Sequence, residues 1–168
     1  ITPPATGMAE VTLTATVQAG GVSKSKVFPV KVMEAGAPSL LSYTDTPGSS
    51  IGKSMHLALD EGDGYEALNY DQGILFPLAD LETGNSGATK VLASPYLFRK
   101  ADGGFGVVAV RSNVDGSRNP AETSSVLLFS SPDLVTFTEE GLLPLGDGAK
   151  VNNPICEYDA ASGAYCLW

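Results

Sequence analysis

Ser94-Pro95-Tyr96-Leu97-Phe98-Arg99-Lys100-Ala101-Asp102-Gly103-Gly104-Phe105 reads as a short apolar strand, an Asp/Gly turn and an aromatic that opens the next strand. The same order returns in Asn153-Pro154-Ile155-Cys156-Glu157-Tyr158-Asp159-Ala160-Ala161-Ser162-Gly163-Ala164-Tyr165. Each copy starts with a polar residue and a proline. A second pair sits outside the first: Leu57-Ala58-Leu59-Asp60-Glu61-Gly62-Asp63-Gly64-Tyr65 against Leu127-Leu128-Phe129-Ser130-Ser131-Pro132-Asp133-Leu134-Val135. In both, an apolar strand runs into an acidic turn at Asp63 or Asp133. A second strand then ends on Ile74-Leu75 or Leu142-Leu143. The first pair reads as the inner half of a propeller blade and the second as its outer half.

Four-stranded blades set around an axis have this scale. The copies predict a first blade over about residues 40–80, a second over about 90–146 and the opening hairpin of a third. The expected fold class is all-β, a partial β-propeller of about two blades plus the start of a third. So few blades cannot close a ring. A second chain or a C-terminal remainder is therefore expected to complete the propeller. Ser94 and Asn153 begin equivalent inner strands, so both are expected to face the axis and to bind substrate through hydrogen bonds.

The composition agrees with strands and turns. Charged residues are only 17% of the chain, while Gly 19 and Pro 11 supply turns in place of long helices. The 168 residues suffice for one domain or slightly more. With a net charge of -9 and ten basic residues scattered along the chain, no Lys/Arg surface for a phosphate backbone forms, so no nucleic-acid partner is expected. Uncharged ligands such as sugars fit better. No apolar run approaches the roughly 20 residues of a membrane span, so no membrane insertion is expected. Ile1, with no basic-then-apolar leader after it, reads as a processed boundary.

Cys156 and Cys166 flank the turn at Asp159–Gly163. In a hairpin that sets Tyr158 against Ala164, Cys156 faces Cys166. The pair is then either a cross-strand disulfide or two buried free thiols. Two cysteines without further Cys/His partners do not make a zinc site.

Residues 9–33 read as a hairpin apart from the rest. Glu10–Val17 and Lys26–Val32 alternate apolar and polar positions, and Gly20-Gly21 supplies the turn. The string EVTLTATVQAGGVSKSKVFPVKV resembles the last two strands of bacterial immunoglobulin-like modules, which commonly stand beside catalytic domains in secreted polysaccharide-degrading proteins. The other reading is a hairpin docked on whatever follows. The expected division is 1–34 for the closing strands of an Ig-like module, 35–39 for a linker, and 40–168 for the propeller blades.

Residues 40–168 resemble glycoside hydrolase family 43, whose members are five-bladed propellers acting mainly on arabinose- and xylose-containing polysaccharides. Ser131-Pro132-Asp133-Leu134-Val135-Thr136-Phe137 and the Leu57-Ala58-Leu59 … Asp63-Gly64-Tyr65 pattern carry the resemblance. It implies that Asp133 or Asp63 caps a turn and that Phe137 fills the gap between blades. Family enzymes place three carboxyl groups at the axis. At the start of the second blade, where the family has Arg-Asp-Pro, this chain has Ala93-Ser94-Pro95, and where it has Ala-Pro-Glu the chain has Asn153-Pro154-Ile155. A serine hydroxyl lacks the fixed charge that raises the pKa of a neighbouring acid. The third carboxylate is expected beyond Trp168.

Four further residues enter the candidate site. Asp45, the candidate catalytic carboxylate, either points into the channel or forms an Asx turn before Pro47. His56 alternates with Leu57 and Leu59 in a strand, either packed between blades or touching a sugar. Arg111 ends the apolar strand Val107–Val110 and needs a partner, either a ligand hydroxyl or a carboxylate. Asp60-Glu61-Gly62-Asp63-Gly64 lacks the spacing of a calcium loop, so no metal is expected. Gly20-Gly21 and Gly103-Gly104 precede no helix, and no cofactor is expected.

The leading expectation is the N-terminal part of a secreted or cell-surface bacterial glycoside hydrolase of arabinofuranosidase or xylosidase type, inactive unless further blades complete it. A non-catalytic carbohydrate-binding or degenerate propeller is the alternative, and a structural spacer the third reading.

Overall fold

The computed structural model describes residues 8–33, 39–45, 53–60, 62, 64–78, 89–146 and 148–168. The linker expected at 35–39 thus lies outside the described residues except for Ser39, as do Pro47, Glu61 and Asp63. The chain divides into two compact units, Ile1–Ser39 with Asp60–Gly64, and Leu40–Leu59 with Tyr65–Trp168. The architecture is all-β, several small antiparallel sheets with one short helix.

In the first unit, β1 (Met8–Ala19) pairs with β2 (Val22–Met33) from Ala19↔Val22 outward. The two-residue connection places Gly20 at φ 58 and Gly21 at φ 79, the positive values that a tight hairpin turn matching strand twist requires. Pro29 is tolerated because a two-stranded ribbon needs no N–H on its outer side. Leu13 and Phe28 face each other across the ladder yet stay 49% and 42% exposed, so the hairpin's apolar face builds no core of its own.

The second unit holds three sheets. β3 (Leu40–Tyr43), β4 (His56–Asp60) and β5 (Tyr65–Ala67) pair in that order. β6 (Lys90–Arg99), β7 (Phe105–Asn113), β8 (Ser125–Ser131) and β9 (Thr138–Pro144) form a four-stranded meander. β10 (Cys156–Asp159) and β11 (Ala164–Leu167) form a hairpin. Strand alternation gives the meander two apolar faces. Leu92, Val107, Ala109, Leu127 and Phe129 pack with Leu57 of the β3–β5 sheet and with Met55 and Leu75, which bridge each other, and Phe137 and Leu142 lie against them. Val110 and Val126 pack with Val151 on the opposite face, joined by Leu128 and Leu167. The meander is therefore covered on both sides.

Turn chemistry explains the strand ends. Asp133 Oδ1 accepts from Val135 N at 2.9 Å and Thr136 N at 2.7 Å, and those donors hold its carboxyl below the usual range, Thr136 first. The cap anticipated at this residue is thus formed. The counterpart segment after Tyr65 behaves differently. Asn69, Tyr70 and Asp71 all take positive φ (53, 56 and 56), which breaks the strand, and Leu75 returns only as a single bridge to Met55. The continuous second strand expected to end at Ile74-Leu75 does not form.

Two other expectations need correction. Ser94-Pro95 does not begin a strand. β6 starts at Lys90, and the proline is absorbed in a bulge between Ala93 and Tyr96 with Ser94 at φ 47. In the terminal hairpin the register is Cys156↔Leu167 and Glu157↔Cys166, one residue away from the expected one. Cys166 therefore lies on the face opposite Cys156, and both thiols are free. Burial pushes the Cys156 thiol pKa up.

Candidate functional site

Three segments of the second unit converge on one cleft. β3 is tied to the bulge of β6 because Ser42 Oγ donates to Pro95 O at 3.0 Å, and the chain leaving β3 carries Thr44 and Asp45 to the same place. Lys53 O accepts from Leu92 N at 2.8 Å, which fixes Lys53 beside β6. The turn after β7 is closed by Asn113 N donating to Ser117 O at 2.9 Å and by Asp115 accepting from Ser117. Together they enclose a cleft of about 350 Å³ whose polar lining includes Thr44, Asp45, Lys53, Ser112, Arg118 and Asn152. Leu92 and Val110 supply apolar floor.

At the rim, Ser94 Oγ donates to Asn153 Oδ1 at 2.7 Å across 59 residues of sequence. Their chain neighbours Ala93 and Asn152 line the cleft itself. The two residues that the sequence repeats set in equivalent positions are thus brought together, although neither begins a strand. Ser94 is held in the left-handed region, where a side chain other than glycine costs about 1–3 kcal/mol, so packing around the bulge over-determines it.

No protein-family model, curated protein or solved structure matches this chain.

Behind the cleft lies a buried ion cluster. The helix α1 (Pro120–Thr123) is started by a capping box: Asn119 Oδ1 accepts from Glu122 N at 2.8 Å, and Glu122 Oε2 accepts from Asn119 N at 3.0 Å. That turn buries Glu122 completely. Its Oε1 receives Lys90 Nζ at 2.7 Å and Arg111 Nε at 3.0 Å. Of the two partners open to Arg111 in the sequence, the carboxylate is the one it has, and its side chain is only 12% exposed. Arg111 is absent from the cleft lining.

His56 is buried as well, with 3% exposure. The sequence offered it no carboxylate nearby, but the left-handed turn at Asn69–Asp71 places Asp71 Oδ1 at 3.3 Å from His56 Nδ1. That contact is electrostatic, since it lies off the line of a hydrogen bond. Tyr43 donates its hydroxyl to Asp71 Oδ1, and this bond, with His56 adding to it, holds the Asp71 carboxyl below its usual range. Ser54 Oγ sits 3.4 Å from His56 Nε2, so serine, histidine and aspartate stand in line. Ser54 is wholly buried, and its hydroxyl fills the space where a side chain on Gly73 would have to stand. No nucleophile is presented there.

Burial first, and Asp71 second, push the Tyr43 phenol up to about 12. A raised phenol pKa means that the folded state favours the neutral form. The contribution is complete below the unfolded value near 10 and is lost as pH rises through about 12. In an alkaline titration followed at 295 nm, Tyr43→Phe is therefore expected to remove the last tyrosinate step. If that step survives in the variant, another of the six tyrosines carries it.

Lys53, Arg118, Asn152 and Glu122 are functional candidates that appear only in the folded chain. Asn119-Pro120-Ala121-Glu122 does carry the signal of a capped helix start, with Pro at its first position. No local pattern marks the other three. Among the described residues no group of three or more His, Cys, Asp or Glu side chains is arranged to hold a metal ion.

Proposed function

We propose that this chain is a portion of a secreted or cell-surface bacterial β-propeller protein of the glycoside hydrolase family 43 type, directed at arabinose- or xylose-containing glycans, and that the cleft at Asp45 is its sugar site. The blades are the three sheets of the second unit, with the meander as the complete four-stranded one. The first unit is proposed to be the closing hairpin of an Ig-like module, a reading supported by its exposed apolar face.

The observation that carries the functional reading is the hydrogen bond between Ser94 and Asn153 at the rim of the cleft. Two polar side chains that the repeats set as equivalent meet next to Ala93 and Asn152, which line a cleft that also holds one carboxylate, Asp45, and an apolar floor, the mix that orients a sugar by its hydroxyls. Hydrolysis needs a second carboxyl group across the scissile bond, about 6.5–9.5 Å away when a water must fit between them. Among the described residues the cleft lining contains no second carboxylate, and Glu122 is committed to Lys90 and Arg111. Binding without turnover is therefore the activity expected of this portion alone. Asp45 in the lining favours the second reading, a hydrolase whose acid comes from a further blade.

Calorimetric titration with arabino- and xylo-oligosaccharides, together with a nitrophenyl arabinofuranoside assay, tests the choice. Binding with no release of nitrophenol is the expected result. Turnover lost in Asp45→Asn would establish the hydrolase reading instead, and absence of binding to every oligosaccharide would remove the sugar site.

A further inference from the structure

We infer that the cleft takes an acidic sugar, with the carboxylate of a uronic acid unit held by Lys53 and Arg118. This rests on the reading of the cleft as a sugar site and specifies its ligand.

The argument starts from how the two cations are held. Lys53 Nζ donates to Val114 O at 2.7 Å. Arg118 Nη1 donates to Val151 O at 2.6 Å and its Nη2 to Asn152 Oδ1 at 3.1 Å. Every one of these acceptors is a neutral oxygen. An ammonium carries three donors and a guanidinium five, so both groups keep N–H bonds to offer. Among the described residues neither makes an ion pair with a carboxylate. Lys53 does act on one acid from a distance, contributing the smallest of the effects that lower the Asp115 pKa.

Among the described residues the ion pairs of lysine and arginine are those of Lys90, Lys100 and Arg111, so what sets Lys53 and Arg118 apart is that both stand in one cleft. They occur together because Lys53 is bonded to the turn that ends in Arg118, and both line the same cleft. Neutral pentoses would leave these charges unused. A carboxylate instead receives charge-assisted hydrogen bonds, and the planar guanidinium suits its two oxygens. Asp45, in the same lining, repels a carboxylate and accepts from hydroxyls. The acid group is thus directed to the Lys53 and Arg118 side and the ring hydroxyls to Asp45, which fixes the orientation of the sugar.

The test uses the 168-residue chain and three ligands in calorimetric titration: a xylo-oligosaccharide bearing a glucuronic acid branch, its methyl ester, and the unbranched oligosaccharide. The free acid is expected to bind at least about tenfold more tightly than the ester, the scale of one charge-assisted bond, with a preference that shrinks as salt rises. Lys53→Gln is expected to bring the affinity for the acid close to that for the ester. The ester comparison needs no variant, so it stands whatever the substitution does to folding. Inorganic phosphate at millimolar concentration is expected not to displace the acid. Equal affinity for acid and ester overturns the inference and leaves the sugar site standing. Binding of phosphate with no binding of any of the three sugars overturns both.

Discussion

Glu122→Ala is expected to cost about 3–5 kcal/mol of stability, because it leaves Lys90 and Arg111 in the interior without the carboxylate they share. Lys90 is 6% exposed and Glu122 not at all, so water does not replace the lost partner. The substitution also removes the acceptor for Asn119 N and with it half of the capping box that starts α1. Against a typical total of about 5–15 kcal/mol, such a loss is a large fraction of the stability. Glu122→Gln keeps the shape and the acceptor but not the charge, and is expected to fall between the two. Urea denaturation of the three proteins measures the differences at constant slope. A Glu122→Ala midpoint within about 1 kcal/mol of the parent would show that the cluster contributes little to stability.

Leu127→Ala is expected to cost about 2–5 kcal/mol, since the side chain is fully buried in the core shared by the meander and the first sheet. Its neighbours Val107, Ala109 and Phe129 are fixed in strands and cannot move in to fill the space. Val135→Ala provides the contrast: at 82% exposure a comparable truncation of an aliphatic side chain is expected to stay within about 0.5 kcal/mol. Thermal melting of both variants separates the cases, and equal melting temperatures would contradict the assignment of Leu127 to the core.

Much of the local architecture was legible. Gly20-Gly21 sets the register of the first hairpin, because only a backbone free to take positive φ at both positions closes it in two residues. The acid of Ser131-Pro132-Asp133 caps its turn through bonds to amides two and three residues ahead. The division into sheets of the second unit follows the repeated strand-turn-strand segments. The terminal hairpin was misread by one residue. Its four-residue connection, Ala160–Gly163, fixes register less tightly than a two-residue turn does, and the slip moved Cys166 to the other face.

The candidate site divides along the same line. Ser94 and Asn153, expected from their matching places in the repeats to face a common axis, are bonded to each other. Lys53 and Arg118, 65 residues apart, carry no signal that the sequence alone reveals, because a single cation in a loop looks the same whether it faces solvent or a shared cleft. Arg111 and His56 stand out in the sequence as polar residues in apolar strands. Their acids, Glu122 and Asp71, came from a capped helix turn and a left-handed turn that no strand periodicity anticipates.

By itself, then, the sequence determined the all-β class and most of the strand-turn-strand segments, since these depend on backbone preference and alternation over a few neighbouring residues. Only the tertiary structure decided which charges are committed to one another and which are offered to a cleft, because ion pairing depends on distances between segments that local pattern does not encode.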